Sequence, residues 1–286
     1  MGQISVKTYA ANGSLLNDNQ HITLEKLRNY KFRFPTLPEQ RKIADFLGAV
    51  DTRVGLLRRR RDALRAFKKG MMQRLFSQEL RFTKPDGSPF PDWQEKRLGE
   101  IASEKFSNGV FNDPQLVGTG YRLINVKDMF EGNQIALHSL HLVAIDEREF
   151  LKNRAKKGDI FFTRSSLVKE GIAYSNVLLE DAEDVTFDGH LIRLRPDQRV
   201  CIPRFLAAQL RHGSLRRQLV ARGKTGTMTT IGQEDVSTVR VALPHPEEQQ
   251  KIADTLTALD TKIDAVTAQI DAMLRFKKGL LQQMFV

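Results

Sequence analysis

A single cysteine, Cys201, stands among 286 residues, which excludes a disulfide framework and any zinc site built on cysteine pairs. Such sparing use suits a reducing compartment, so a cytoplasmic location is expected. No apolar run approaches the roughly 20 residues that span a bilayer. The opening MGQISVKTYAANGS lacks the apolar core of a secretory signal, and Val6 stands where a myristoylation signal wants Ser or Thr. No membrane role is expected. No two prolines are adjacent, so the Asn-Pro-Pro-aromatic element used for amino-methylation is missing. The segment Arg222-Gly-Lys-Thr-Gly-Thr227 resembles a phosphate loop, but Gln218 replaces the leading glycine and the segment leaves a helix instead of opening one. A metal nuclease wants an acid two residues before a lysine at a strand end; Asp260-Thr-Lys262 has that spacing inside a helix. His138 and His141 lack well-spaced carboxylates and read as surface residues, not metal ligands. Hydrolytic triads need a serine in a strained turn, which Ser165-Ser166 does not form. The chain reads as non-catalytic, with no catalytic residue, no metal site and no cofactor of its own.

What the chain does have is a long internal repeat. Pro35–Phe76 and Pro244–Phe285 align without a gap at a constant offset of 209, and 19 of the 42 positions are identical, including E-Q-x-K-I-A-D and F-K-K-G. That period is too long for a solenoid, so each copy is one reused part of a larger plan. In the second copy, apolar residues fall at Ile252, Leu256, Leu259, Ile263, Val266, Ile270, Met273, Leu280 and Met284, the alternating three–four spacing of a heptad seam. Thr36-Leu-Pro-Glu39 forms a capping box, and Pro246 sits early in the second helix. Two helices of about 40 residues run roughly 60 Å each, and the simplest burial for their seams is an antiparallel pair; spacing alone does not fix the direction, and packing of each helix on a separate body is the alternative. Lys68 and Lys277 interrupt the seam at matching places, and Arg61 stands where the other copy has Ile270. Such charges cost stability unless they snorkel or find a partner; setting the register is one reading, and loosening of the pair near its ends, where another protein meets it, is the one expected.

Charge is unevenly spread. The net +11 places +6 on residues 38–80 and −1 on residues 244–286. Much of the first helix's excess is Arg58-Arg59-Arg60-Arg61, which spans most of the helix circumference; a solvated face, an acidic protein and DNA all remain readings of it. Between Gln198 and Gln233 lie seven cations and no acid, the kind of local excess that phosphate contacts require.

Along the chain, Thr83–Asp92 is dense in turn residues and reads as a linker. Trp93 then opens a mixed region. Arg122–Val126, Asp159–Thr163, Ile172–Leu179 and Leu191–Leu194 read as strands, Pro203–Arg222 as a helix, and Val236–Leu243 as a strand running into the second repeat. Residues 1–34 align at the same offset with the segment before the second repeat: Ile22–Glu25 matches Ile231–Glu234. The expected division is residues 1–34 as the remnant of a preceding unit, 35–82 and 244–286 as the two helices, 83–93 as linker and 94–243 as the mixed domain. The fold class is α+β, a β-rich domain with two long helices in an antiparallel coiled coil.

A helix of the form P-x-x-x-E-Q-x-K-I-A-D…D-T…F-K-K-G-x-x-Q-x-x-F, repeated around a β-rich domain, resembles type I restriction-modification specificity subunits. Lys157-Gly-Asp-Ile160 and the Gly/Thr run before the last strand carry the resemblance more loosely. In that family two target-recognition domains sit at opposite ends of a helical spacer, and each reads one half of a bipartite DNA sequence. The resemblance implies double-stranded DNA, modification subunits and a restriction subunit as partners, with S-adenosylmethionine, ATP and Mg bound by those partners. This sequence departs from the pattern by showing only the last 34 or so residues of a first recognition domain. Self-association, giving a symmetric target, is then one expectation. Two groups are the expected DNA contacts: Arg164, Ser165, Ser166 and Lys169, and then Arg222, Lys224, Thr225, Thr227 and Thr229. Asp188-Gly-His190 is a weaker candidate, a turn that joins two strands. The alternative is an assembly or regulatory protein that binds modification subunits through its helices without reading DNA.

Overall fold

The computed structural model describes residues 28–29, 35–111 and 117–284, so the expectation for residues 1–34 lies almost entirely outside the described residues. Helix α1 spans Leu37–Phe76. A mixed body follows, comprising β1 Gln94–Arg97, β2 Ser107–Asn108, β3 Val117–Ile124, β4 His141–Val143, α2 Glu147–Asn153, β5 Ile160–Thr163, β6 Ser165–Ser166, β7 Ser175–Val177, β8 Val185–Phe187, β9 Leu191–Leu194, α3 Pro203–Leu210, α4 Gly213–Ala221, β10 Lys224–Thr225, β11 Thr229–Thr230, α5 Gln233–Ser237 and β12 Arg240–Leu243. Helix α6, Pro246–Met284, closes the described chain.

Among the described residues the strands form four small sheets, in the orders β2-β9-β5-β7, β4-β3-β8, β10-β11-β6 and β1-β12. All are antiparallel except for the β3–β8 pairing, where Arg122 faces Val185. β5 reads I-F-F-T and is buried at every position, because β9 and β7 flank it and apolar cores lie on both faces. Phe162 packs in the larger core with Phe205 and Leu206 of α3. Phe161 packs in the second core with Phe187 and Leu191. An unbroken apolar run is what burial on two faces demands of a strand.

Three expected elements differ. Pro203–Arg222 is two helices rather than one, because the chain turns at His212 and Gly213 takes φ +51, which glycine tolerates and a continuing helix does not. Val236 lies at the end of α5, and only Arg240–Leu243 is strand. Of Ile172–Leu179, only Ser175–Val177 pairs, with β5 on one side.

The long helices lie antiparallel along part of their length. Val54 and Leu57 of α1 pack with Val266 and Ile270 of α6, flanked by Leu64 and Met273. The seam lysines do not loosen this pair. Lys68 Nζ lies 2.5 Å from Asp260, and Lys277 pairs with Asp51. With the repeat offset of 209, Lys68 corresponds to Lys277 and Asp51 to Asp260, so the two bridges are one contact used twice about a local two-fold axis. Each lysine finds a carboxylate on the opposite helix, which offsets its desolvation. Arg61 is half-buried and pairs with its neighbour Asp62 at 3.0 Å.

The α6 seam also serves two partners in succession. Ile252, Ala253 and Leu256 enter the larger core of the body, where Leu75 of α1 joins them. Val266 and Ile270 face α1. The turn-rich segment between α1 and β1 is a clasp on this junction. Arg81 donates to Glu248 at 3.2 and 2.9 Å and to the carbonyls of Phe90 and Pro91 at 3.2 and 2.6 Å, while Trp93 Nε1 lies 3.3 Å from Glu248. Glu248 is fully buried and holds the Arg81 guanidinium above its ordinary range, mainly through their hydrogen bonds. Gln249 accepts from the Ile202 N–H at 2.8 Å and donates to the carbonyls of Val200 and Pro244 at 3.0 and 2.9 Å. In the first copy the corresponding Glu39 and Gln40 are exposed; Glu39 accepts from the Thr36 N–H and hydroxyl, both at 2.8 Å, and Gln40 donates to the Pro35 carbonyl.

Two outcomes are expected in urea denaturation monitored by circular dichroism. Glu248→Ala lowers stability by about 3 kcal/mol, because it strands Arg81 against a buried gap, whereas Glu39→Ala causes a much smaller loss. Lys68→Asp lowers stability by about 1 kcal/mol or more, and adding Asp260→Lys restores most of that loss, since the exchanged pair keeps its contact.

Candidate nucleic-acid interface

The two groups of sequence-derived candidates lie about 60 residues apart in sequence, yet they share one small sheet. β11 is its central strand: Thr229 faces Ser166 and Thr230 faces Ser165 on one side, while Lys224 faces Thr230 and Thr225 faces Thr229 on the other. The backbone ladder continues past the sheet. Ile231 N–H donates to the Arg164 carbonyl at 3.0 Å, and Arg164 N–H donates to the His190 carbonyl at 2.8 Å. Arg164, the three-residue turn that carries Lys169, and the β10–β11 hairpin therefore form one continuous surface.

Two glycines permit this close stacking. A Cβ on Gly171 would lie 2.3 Å from Ser166 Oγ, so a larger residue there would force the Ser166 hydroxyl to move as the Lys169 turn folds onto β6. A Cβ on Gly223 would lie 2.7 Å from the Thr229 methyl. Arg164, Lys169, Lys224, Thr225 and Thr227 are exposed, and Ser165, Ser166 and Arg222 are half-buried. Thr229 departs from the expectation. It is 2 % exposed, its methyl covers Gly223, and it packs beneath the sheet, so it is no surface contact. Lys224 lies 3.5 Å from Asp235 yet keeps 77 % of its side chain in solvent.

The acid-free run from Gln198 to Gln233 does not form one basic patch. Arg211 turns inward, donating to Ser175 O at 2.7 Å, to Gly132 O at 3.3 Å and to Asn176 Oδ1, and lies over Tyr174 at 5.6 Å. Arg216 donates to Ala173 O at 3.0 Å and to Glu170 O. Burial pulls both guanidiniums below their ordinary range. Arg204 reaches Thr257 of α6 at 2.9 Å, and Arg199 pairs with Asp197 at 2.7 Å. Several of the cations thus satisfy backbone carbonyls, because arginine's planar fork of donors can serve two or three at once. Sequence charge gave no sign of that inward turn.

An open cleft of about 540 Å³ flanks the sheet, lined by Arg164, Ser165, Lys224 and Thr230 and also by Phe111, His190 and Met228. Phe111 is 70 % exposed and Met228 40 %. On the tip between Ser166 and Lys169, Leu167 is 84 % exposed and Val168 62 %. Sequence reasoning missed these apolar residues, since lone hydrophobics in loops carry no periodicity. Asp188-Gly-His190 does join two strands, β8 and β9, as expected of a turn, and its histidine also borders this cleft.

His138 lies in a short 3-10 turn and His141 opens β4, so they share no helix. Among the described residues no three His, Cys, Asp or Glu side chains gather as a metal site, and no helix is long and apolar enough to cross a membrane. Burial pushes the Cys201 thiol up to about 12.

The chain is thus a mixed body mounted on paired long helices, with Arg164, Lys169 and Lys224 exposed on one loop-built surface. Comparison with known proteins gives it a family. The family described as type I restriction modification DNA specificity domain matches residues 5–66 and 91–275, and the chain belongs to it. Among curated relatives, the HindI specificity subunit of Haemophilus influenzae is 25 % identical over 200 residues, covering 68 % of this chain and 41 % of its own length. The putative MjaX specificity subunit of Methanocaldococcus jannaschii is 23 % identical, covering 95 % of this chain and 61 % of its own. This chain therefore spans about two fifths to three fifths of the curated relatives it matches. Among solved structures, the type I restriction-modification system S subunit from M. genitalium shares the fold at TM-score 0.56 and 16 % identity, over 93 % of this chain and 66 % of that one. The HsdS subunit of Thermoanaerobacter tengcongensis does so at TM-score 0.50 and 21 % identity, over 98 % and 64 %.

Arg211→Met is expected to destabilise the fold by about 2 kcal/mol, because it leaves carbonyls without their donor. Exposed Arg217→Ala is expected to change stability by less than about 0.5 kcal/mol. Thermal unfolding of the two variants side by side checks the distinction.

Proposed function

We propose that this chain reads duplex DNA as the specificity subunit of a type I restriction-modification complex and performs no chemistry itself. The observation that carries the reading is the convergence of Arg164, Ser165, Ser166 and Lys169 with Lys224, Thr225 and Thr227 on one loop-built surface, whereas Arg222 donates back to the Gln218 carbonyl at 3.2 Å. Charged ends suit phosphates and guanine edges, and hydroxyls suit bases or phosphates. In this reading residues 94–243 form the target-recognition domain, and residues 35–82 and 244–286 form an antiparallel coiled-coil spacer. Modification subunits that bind S-adenosylmethionine dock along the spacer and methylate adenine, and a restriction subunit supplies ATP-driven cleavage with Mg. Exposed Phe46, Leu56, Phe67, Leu274 and Phe276 on the long helices favour such protein contacts.

Binding of the full chain to mixed-sequence duplex DNA, titrated against salt, tests the reading. Arg164→Ala combined with Lys224→Ala should weaken binding at least tenfold and reduce the slope of log affinity against log salt by about 2. Equal affinity and slope in wild type and variant would sink the assignment of this surface. No DNA affinity together with capture of modification subunits would leave the assembly protein as the better reading. Mapping adenine methylation after co-expression with a modification subunit should give a defined sequence motif.

A further inference from the structure

His190 stands where two open clefts meet. One is the cleft beside the small sheet, with Arg164, Ser165 and Lys224. The other is lined by Asn125, Lys127, His141 and Asp188. The ring is 56 % exposed, yet it is held on several sides. Asp188 Oδ1 accepts from the His190 backbone N–H at 2.7 Å and lies 2.8 Å from the ring Nδ1. Asp188 is itself 7 % exposed, so its carboxylate is fixed in the turn. Phe111 sits edge-on to the ring at 5.8 Å, and the Arg164 N–H fixes the His190 carbonyl. A carboxylate oxygen accepts, so Nδ1 is the ring nitrogen that donates to Asp188, which leaves Nε2 as the ring's other hydrogen-bonding position, an acceptor when the imidazole is neutral. A histidine with Nδ1 engaged by a fixed carboxylate and an anchored backbone, beside exposed Arg164 and Lys224 as well as Asp235, suits a directional contact.

We propose that His190 is a specificity-determining residue that accepts a hydrogen bond from the exocyclic amino group of cytosine or adenine in the major groove, with Asp188 as its positioning residue. The inference rests on the DNA-reading function proposed above. In the major groove the amino groups of adenine and cytosine are the donors, and an acceptor placed there tells them from the keto oxygens of guanine and thymine.

The test uses the full chain. Wild type, His190→Ala, His190→Gln and His190→Arg are each put through selection from a random duplex library. Wild type should return a motif, His190→Ala should lose preference at one position only, and His190→Arg should move that position toward guanine. His190→Gln should keep an amino-bearing base and favour adenine. The position is then rebuilt with a base analogue lacking only the amino group. Wild type should lose roughly five- to tenfold in affinity, the value of a single net hydrogen bond, and His190→Ala should lose nothing. A motif unchanged in His190→Ala, or an amino deletion that costs both proteins equally, overturns the role of His190 while leaving DNA reading intact. If wild type selects no motif at all, the DNA-reading function fails, and this inference with it.

Discussion

The burial of Glu248 against Arg81 is the contact on which the rest of the structure depends. It takes a carboxylate out of water in the first turn of α6 and satisfies it with a guanidinium from the segment after α1. Such a pair stabilises little on its own, since desolvation consumes most of the attraction, but it tolerates almost no displacement. Gln249 repeats the constraint next door with three backbone partners. Together they fix where the body sits relative to both long helices. Whatever the β6–β11–β10 surface meets is therefore presented at a fixed angle to the helix pair.

The helix pair uses charge in a second way. Lys68–Asp260 and Lys277–Asp51 are the same contact related by the repeat, and together they specify one register of α1 against α6. An apolar heptad seam alone accepts slips of a turn with modest loss, whereas a half-buried lysine that slips away from its acid does not. Read from sequence, these lysines look like flaws in the seam. Their partners lie about 190 and 226 residues away in sequence, and only the fold shows that the flaws are paired.

Most of the architecture was legible in the sequence, because repetition and periodicity are local signals. Both long helices fall close to their expected bounds, and Leu191–Leu194 is strand from end to end. Where expectation failed, a local signal was overridden. Gly213 broke a helical pattern, and Val236 fitted a strand's alternation yet closes a short helix. The candidate surface was half legible: residue types suited to phosphates and bases were visible, but their assembly on one sheet and the burial of Thr229 were not. Arg204, Arg211 and Arg216 read as a basic run and turned out to hold carbonyls and a helix hydroxyl.

The sequence by itself determined that there are two copies of one helix, that a β-rich body lies between them, and to which family the motif points. It could not determine that E-Q in the second copy is buried beneath the body while E-Q in the first is exposed, because the residues are identical and only their surroundings differ. Tertiary structure decided that, along with which cations reach solvent. Burial and hydrogen bonding depend on what the rest of the chain brings alongside a side chain, and those neighbours lie far away in sequence.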